Sequence, residues 1–104
     1  MYVIFKKIYA GNIPTEHYNN IAICGVYDSE KTAKEGMVKV FCRYRPEKKI
    51  HADWHKPNEQ AEPSTTRINV IDWRRKRTPK YYCYEIEELN ETNTNELLFE
   101  ALNL

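Results

Sequence analysis

The stretch IAICGVYDSEKTAKEGMVKVFCRY, residues 21–44, decides the fold. Its first seven residues are nearly all apolar, which is typical of a buried β-strand. The remainder predicts a helix over residues 29–44, because its apolar residues return every three or four positions and so share one helical stripe. This stripe consists of Ala33, Met37, Val40, Phe41 and Tyr44.

Both ends of this helix are marked in the sequence. Asp28 or Ser29 can accept a hydrogen bond from the free N–H groups of the first turn. Pro46 favours an end near Tyr44, because a proline disfavours the helical region for the residue before it. The sequence therefore predicts a strand that leads directly into an amphipathic helix.

Three further strands and two irregular segments complete the predicted domain. β-Branched and aromatic residues predict strands at 2–9, 67–73 and 81–89. We expect 46–66 to be a long polar loop anchored by Trp54, and 90–104 to be a short loop with a C-terminal helix. Residues 1–104 are thus predicted to form a single α+β domain. Its mainly antiparallel four-stranded sheet has ββαββ order, with one packed helix and the short C-terminal helix.

The first two strands are apolar on both faces. We expect Ile21, Ile23 and Tyr27 on one face of the second strand, and Ala22, Cys24 and Val26 on the other. A strand of this kind needs a cover on each side, and one helix supplies only one. The C-terminal segment, the long loop or a second copy of the chain would supply the other, so a homodimer is one expected state.

Charge is nearly balanced over the chain but not along it. The sequence has 16 Lys and Arg against 15 Asp and Glu, giving a net charge of +1. All 16 cations lie in residues 1–80, whose net charge is +7, whereas residues 81–104 carry −6. The near-neutral total excludes neither a nucleic-acid partner nor a protein partner.

The cysteines and the chain start indicate a cytoplasmic protein. An odd number of cysteines without CxxC spacing argues against a disulfide scaffold. Cys24, Cys42 and Cys83 each lie among apolar neighbours, which predicts buried, inert thiols. The first residues lack the pattern of a signal peptide, and no apolar run approaches membrane-spanning length, so we expect no membrane partner.

A basic tip between the last two predicted strands is the first candidate site. Clustered cations beside aromatic residues are typical of surfaces that neutralise phosphates and stack on bases. The same cluster could instead bind an acidic protein surface, pair with the acidic tail, or simply be solvated. Its members are Trp73, Arg74, Arg75, Lys76, Arg77, Lys80 and Tyr81.

An acidic row in the C-terminal part is the second candidate. Such a row could mimic the charge of nucleic acid and occupy a basic groove on a host enzyme. The alternative is an ordinary charged edge that protects against aggregation. Its members are Glu85, Glu87, Glu88 and Glu91.

No catalytic, cofactor or metal signature stands out. His51 and His55 lie four residues apart and would share a helical face, but no further ligands are indicated. With only three glycines, the usual dinucleotide and P-loop sites are excluded. We therefore expect no enzyme activity, no cofactor and no metal.

The segment CGVYDSEKTAK, residues 24–34, resembles a loose group of small uncharacterised phage and bacterial α+β proteins. In that group a "GVYxSExxA" step leads from a strand into a helix, and a later strand such as YEIEEL, residues 84–89, completes the sheet. The long 46–66 segment and the basic tip depart from the shorter members. The resemblance implies an α+β sheet carrying a helix, and no activity.

These features lead to two functional hypotheses. The first is a small cytosolic regulator or inhibitor, encoded by a phage or mobile element, that acts by occupying the surface of a host protein. The alternative is a nucleic-acid-binding module that uses the basic tip, residues 74–80.

Overall fold

The described residues form an antiparallel five-stranded sheet with one helix packed on it. The structure, a computed structural model, describes residues 1–9, 18, 20–75 and 77–90. Its elements are β1 (Tyr2–Tyr9), β2 (Asn20–Tyr27), α1 (Glu30–Tyr44), β3 (Ile50–Trp54), β4 (Arg67–Asp72) and β5 (Lys80–Glu88). The strands lie in the order β2-β1-β5-β4-β3, and every neighbouring pair is antiparallel. The α+β class is therefore confirmed, whereas the predicted number of strands is wrong.

Helix α1 begins and ends where the sequence predicts. Ser29 is its N-cap, and the Ser29 hydroxyl accepts a hydrogen bond from the Thr32 N–H at 3.2 Å. The buried face consists of Ala33, Gly36, Met37 and Val40. This face packs on one side of the sheet and forms the main core. The other buried members of that core are Ile4, Ile50, Ile68, Val70, Tyr82 and Tyr84.

β3 is the strand that the sequence analysis missed. It occupies residues inside the segment 46–66, which was predicted to be a loop throughout. Ile50, Ala52 and Trp54 alternate along it and pack against the main core, while His51 and Asp53 are exposed. Pairing with β4 stabilises this five-residue strand, since so short a segment has no stable strand structure of its own.

Trp54 anchors this region, as predicted. Its ring stacks on that of Phe41, with the ring centroids 5.1 Å apart and the planes inclined by 23°. The chain after it is tied back to the sheet by two backbone hydrogen bonds. The His55 N–H donates to the Arg67 carbonyl at 2.9 Å, and the Ser64 N–H donates to the His55 carbonyl at 2.7 Å.

A bulge in β2 changes the face of its last residues. Ile4 pairs with Gly25 and Phe5 pairs with Ile23, which leaves Cys24 as the extra residue. Side chains after a bulge exchange faces, so Tyr27 packs against the main core under the helix instead of sharing the face of Ile23. The predicted face of Tyr27 is therefore wrong.

The sheet face away from the helix is also buried near β1 and β2. Val3 and Phe5 have no exposed surface and Ile21 is 4% exposed, with Tyr18, Ile23 and Leu89 packed against them. One chain therefore keeps these side chains from water, and a second copy is not required for that purpose. The predicted C-terminal helix falls on residues outside those described.

Two of the three cysteines differ from expectation. Cys83 is buried, but Cys24 and Cys42 are exposed. Cys24 is the bulge residue of an edge strand, and Cys42 lies off the buried stripe of α1. The apolar sequence neighbours of Cys24 and Cys42 did not predict this exposure. The exposure of Cys24 depends on the bulge, and that of Cys42 depends on which side of α1 faces the sheet.

Candidate functional site

The basic tip is the connection between β4 and β5, closed by pairing of Asp72 with Lys80. Within it the Thr78 N–H donates to the Arg75 carbonyl at 3.2 Å, which forms a turn. The side chains of Arg74, Arg75, Arg77 and Lys80 are all exposed. Lys76 lies outside the described residues. The structure therefore gathers four of the predicted cations at one end of the sheet.

Arg74 is held by a buried carboxylate. Asp72 is 6% exposed, and its two oxygens accept hydrogen bonds from Arg74 Nε at 3.0 and 3.2 Å and from Nη2 at 2.7 Å. The backbone N–H of Arg74 also donates to Asp72 Oδ1 at 3.0 Å. These hydrogen bonds lower the pKa of Asp72 and raise that of Arg74. The pair fixes the guanidinium in one orientation instead of leaving it free in solvent.

A second basic segment, residues 43–49, lies beside this tip. Ile50, the first residue of β3, pairs with Asp72, and the Trp73 N–H donates to the Lys49 carbonyl at 2.7 Å. The end of α1 and the turn after it are therefore joined to the tip. The cations of this second segment are Arg43, Arg45, Lys48 and Lys49.

We define the basic end as the described residues 43–49, 72–75 and 77–80. They include eight Lys and Arg and two carboxylates, Glu47 and Asp72, in a chain whose net charge is +1. The sequence analysis missed residues 43–49 as part of the site. Their density of cations was visible, but nothing local placed them next to a tip some 30 residues away.

Arg74 lies at the junction of two clefts in the basic end. One cleft, of about 230 Å³, is lined by Asp72, Arg74, Arg75, Thr78, Lys80 and Tyr82. The other, of about 250 Å³, is lined by Arg43, Tyr44, Glu47, Ile50, Arg74 and Tyr84. We call the first the tip cleft. The shared Arg74 makes the two segments one continuous surface.

Lys6 adds a further cation behind this surface. Its ammonium lies 4.1 Å from the ring centroid of Tyr82, a favourable cation–π geometry. Burial lowers the pKa of Lys6, and the nearby charges of Lys80 and Arg74 act in the same direction. The charges of Cys24 and Asp72 act in the opposite direction, so burial is the main cause of the lowered pKa of Lys6.

The two aromatic candidates differ in accessibility. Trp73 is 43% exposed and lies next to Arg74, so its ring is accessible to a ligand. Tyr81 is half-buried and packs edge-to-face on Tyr9, with ring centroids 6.1 Å apart. Of these two aromatic residues, Trp73 is the one placed to stack on a base at the basic end.

The acidic row does not form one exposed surface. Glu85 is 17% exposed and is bonded to Lys7 at 2.8 Å and to Arg67 at 3.3 Å. Glu87 shares its face of β5, whereas Glu88 points to the other side. Glu91 lies outside the described residues. The first acid of the row, Glu85, is therefore already paired with cations of the same chain.

The two loop histidines are not gathered into a metal site. His51 lies on β3 and contacts Asp53 at 2.5 Å, while His55 Nδ1 contacts the Asn69 amide at 3.1 Å. In the described part of the chain, no three His, Cys, Asp or Glu side chains come together as metal ligands. Across those same residues, no helix has the length and apolarity needed to cross a membrane.

Comparison with known proteins adds no family assignment. No protein-family model, no curated protein and no solved structure matches the chain.

Proposed function

We propose that the protein binds nucleic acid through the basic end. The observation that carries this proposal is the hydrogen bond from the Trp73 N–H to the Lys49 carbonyl, which joins two cation-rich segments into one surface. The eight described cations at this end of a nearly neutral chain form a field that attracts a polyanion, and their contacts with phosphates would release counterions from it.

The geometry favours a single strand over a duplex. The basic end is built from a hairpin tip and the end of a helix, and not from a helix laid along the surface as in the proteins that read a major groove. Its exposed aromatic ring, Trp73, is suited to stack on an unpaired base. Phosphate contacts would supply most of the affinity, and recognition would be largely independent of sequence.

The direct test is binding of a fluorescein-labelled 20-nucleotide single strand, DNA or RNA, followed by anisotropy at 50 and 200 mM salt. For about four phosphate contacts, we expect roughly 50-fold weaker binding at the higher salt. The corresponding duplex should bind less tightly, and W73A should weaken single-strand binding more than duplex binding. No binding at 50 mM salt, or binding that does not respond to salt, would overturn the proposal.

The hypothesis of a regulator or inhibitor that occupies a host protein stays a prediction. Its nucleic-acid-mimic form depends on the acidic row, whose Glu85 is bonded to Lys7 and Arg67. Its other form, capture of an acidic protein, would use the same basic end. Competition by such a protein against the labelled strand would reveal it.

A further inference from the structure

We infer that the tip cleft is the seat of a single phosphate monoester, such as the terminal phosphate of a nucleic-acid strand. This inference rests on the proposed nucleic-acid binding and names the group that the basic end holds most tightly. The cleft of about 230 Å³ is several times the roughly 30 Å³ share of one water, so it has room for a four-oxygen anion.

The donors of the cleft are arranged around Arg74. Asp72 accepts from Nε and Nη2 of this guanidinium. Among the described residues none accepts from Nη1, so its two N–H groups and the second N–H of Nη2 are available to a ligand. A fixed guanidinium edge is the side-chain group best suited to two parallel hydrogen bonds with phosphate oxygens.

The net charge of the cleft matches a dianion. Asp72 balances Arg74, which leaves the charges of Arg75 and Lys80, a net +2. A phosphate monoester carries about −1.5 to −2 at neutral pH, whereas an internal phosphodiester carries only one negative charge. The hydroxyl of Thr78 is a further donor in the lining.

Asp72 acts here as a positioning residue. Its carboxylate repels an anion, yet it is the group that aims Arg74 into the cleft. Asp72 therefore weakens the general attraction of the cleft for polyanions. In return it provides selectivity for a phosphate group of defined geometry.

The test compares one labelled strand with a 5′-phosphate and the same strand with a 5′-hydroxyl. We expect the phosphorylated strand to bind about tenfold more tightly, because it makes additional charge-assisted hydrogen bonds. Equal binding of the two strands would overturn the inference that the tip cleft binds a phosphate monoester, and it would leave the proposed function intact. If neither strand binds but a nucleoside monophosphate raises the melting temperature, the seat holds and the proposed function fails. If none of these ligands binds, both fail.

Two variants distinguish specific binding of a phosphate monoester in the tip cleft from general electrostatic attraction of the strand. R74K keeps the charge and removes the planar fork, so it should abolish the preference for the 5′-phosphate, whereas the same substitution outside the basic end, R67K, should retain it. D72N adds one net positive charge, so it should bind the hydroxyl strand at least as well as wild type while losing the preference. A preference that persists in R74K would overturn the assignment, even if D72N fails to fold.

Discussion

The Trp73 N–H and the Lys49 carbonyl are joined by a backbone hydrogen bond of 2.7 Å. This bond lies just beyond the pairing of Ile50 with Asp72 and extends the contact between the start of β3 and the end of β4. Through it, the cations that follow α1 and those of the hairpin tip occupy one end of the sheet. Formation of the basic end therefore depends on β3.

A first prediction concerns the contact of Tyr27 with Gly36. A methyl group at Gly36 would overlap the Tyr27 ring, and one at Gly25 would lie 2.7 Å from the Tyr27 hydroxyl. We expect G36A to lower the free energy of unfolding by about 1 kcal/mol, because overpacking costs about 1–3 kcal/mol and the gain in helix propensity is roughly 1 kcal/mol. Urea denaturation measures this.

The control for this prediction is the G36A substitution in a variant that lacks the Tyr27 ring. In a Y27A background, G36A should raise the free energy of unfolding by up to about 1 kcal/mol, since only the helix propensity remains. The sign of the effect should thus reverse between the two backgrounds. A stabilising G36A in the wild-type background would show that the ring shifts aside without cost.

A second prediction concerns the acid dependence of stability. Burial of Glu85 opposes its ionisation, but the hydrogen bond and charge of Lys7, together with the charge of Arg67, outweigh burial and hold its pKa below 4.5. A lowered folded pKa means stabilisation that is present above the unfolded value and lost as the pH falls through the folded value. E85Q should cost about 1–3 kcal/mol at pH 7.

The pH profile distinguishes this ion network from simple packing. The stability curves of wild type and E85Q should converge at acid pH, where Glu85 is protonated. E87Q is the matched control: burial, and then the charge of Glu85, raise the pKa of Glu87. Its ionised form therefore costs stability at pH 7, and E87Q should not destabilise. Parallel curves for wild type and E85Q at all pH values would contradict the account.

A third prediction concerns thiol reactivity. Cys83 has no exposed surface, and burial, followed by the charge of Glu85, raises its pKa to about 12. Cys24 and Cys42 are exposed, but partial burial raises the pKa of Cys24. Because the thiolate is the reactive form, we expect Cys42 to react fastest with a disulfide reagent at pH 8, Cys24 more slowly, and Cys83 only after unfolding. Equal reactivity of all three in the folded protein would show that Cys83 is accessible.

The sequence predicted the elements whose patterns are local. The stripe of α1, its Ser29 cap and the alternation of β5 were readable from spacing alone. β3 was not predicted, because two prolines and many charges flank it and its pairing with β4 is a tertiary contact. Its alternation of Ile50, Ala52 and Trp54 was the signal that could have revealed it. The face of Tyr27 depended on a bulge that only the register with β1 shows.

Only the hairpin-tip part of the candidate site was predicted, again because local patterns are readable from the sequence and tertiary contacts are not. The cations of the tip are consecutive in sequence and therefore obvious, but their neighbours in residues 43–49 reach them only through β3. The role of Asp72 in holding Arg74 was also not predicted, since an acidic residue at the end of a strand is usually solvated. Its burial and its hydrogen bonds to Arg74 became visible only in the structure.

The most direct test of the account is whether both segments of the basic end contribute to binding. The variants are K48E/K49E in one segment and R75E/R77E in the other, each a change of four charges. The matched control, K31E/K56E, makes the same change at exposed positions outside the basic end. Each is titrated by anisotropy with the labelled single strand at several salt concentrations.

We predict that both basic-end variants weaken binding at least tenfold and that each reduces the salt slope by about 1–2. The control should stay within about threefold of wild type, because charges beyond a Debye length of roughly 10 Å are largely screened. If K48E/K49E bound like the control while R75E/R77E abolished binding, the hairpin tip would act alone. That result would contradict a site built from two segments joined at Lys49 and Trp73.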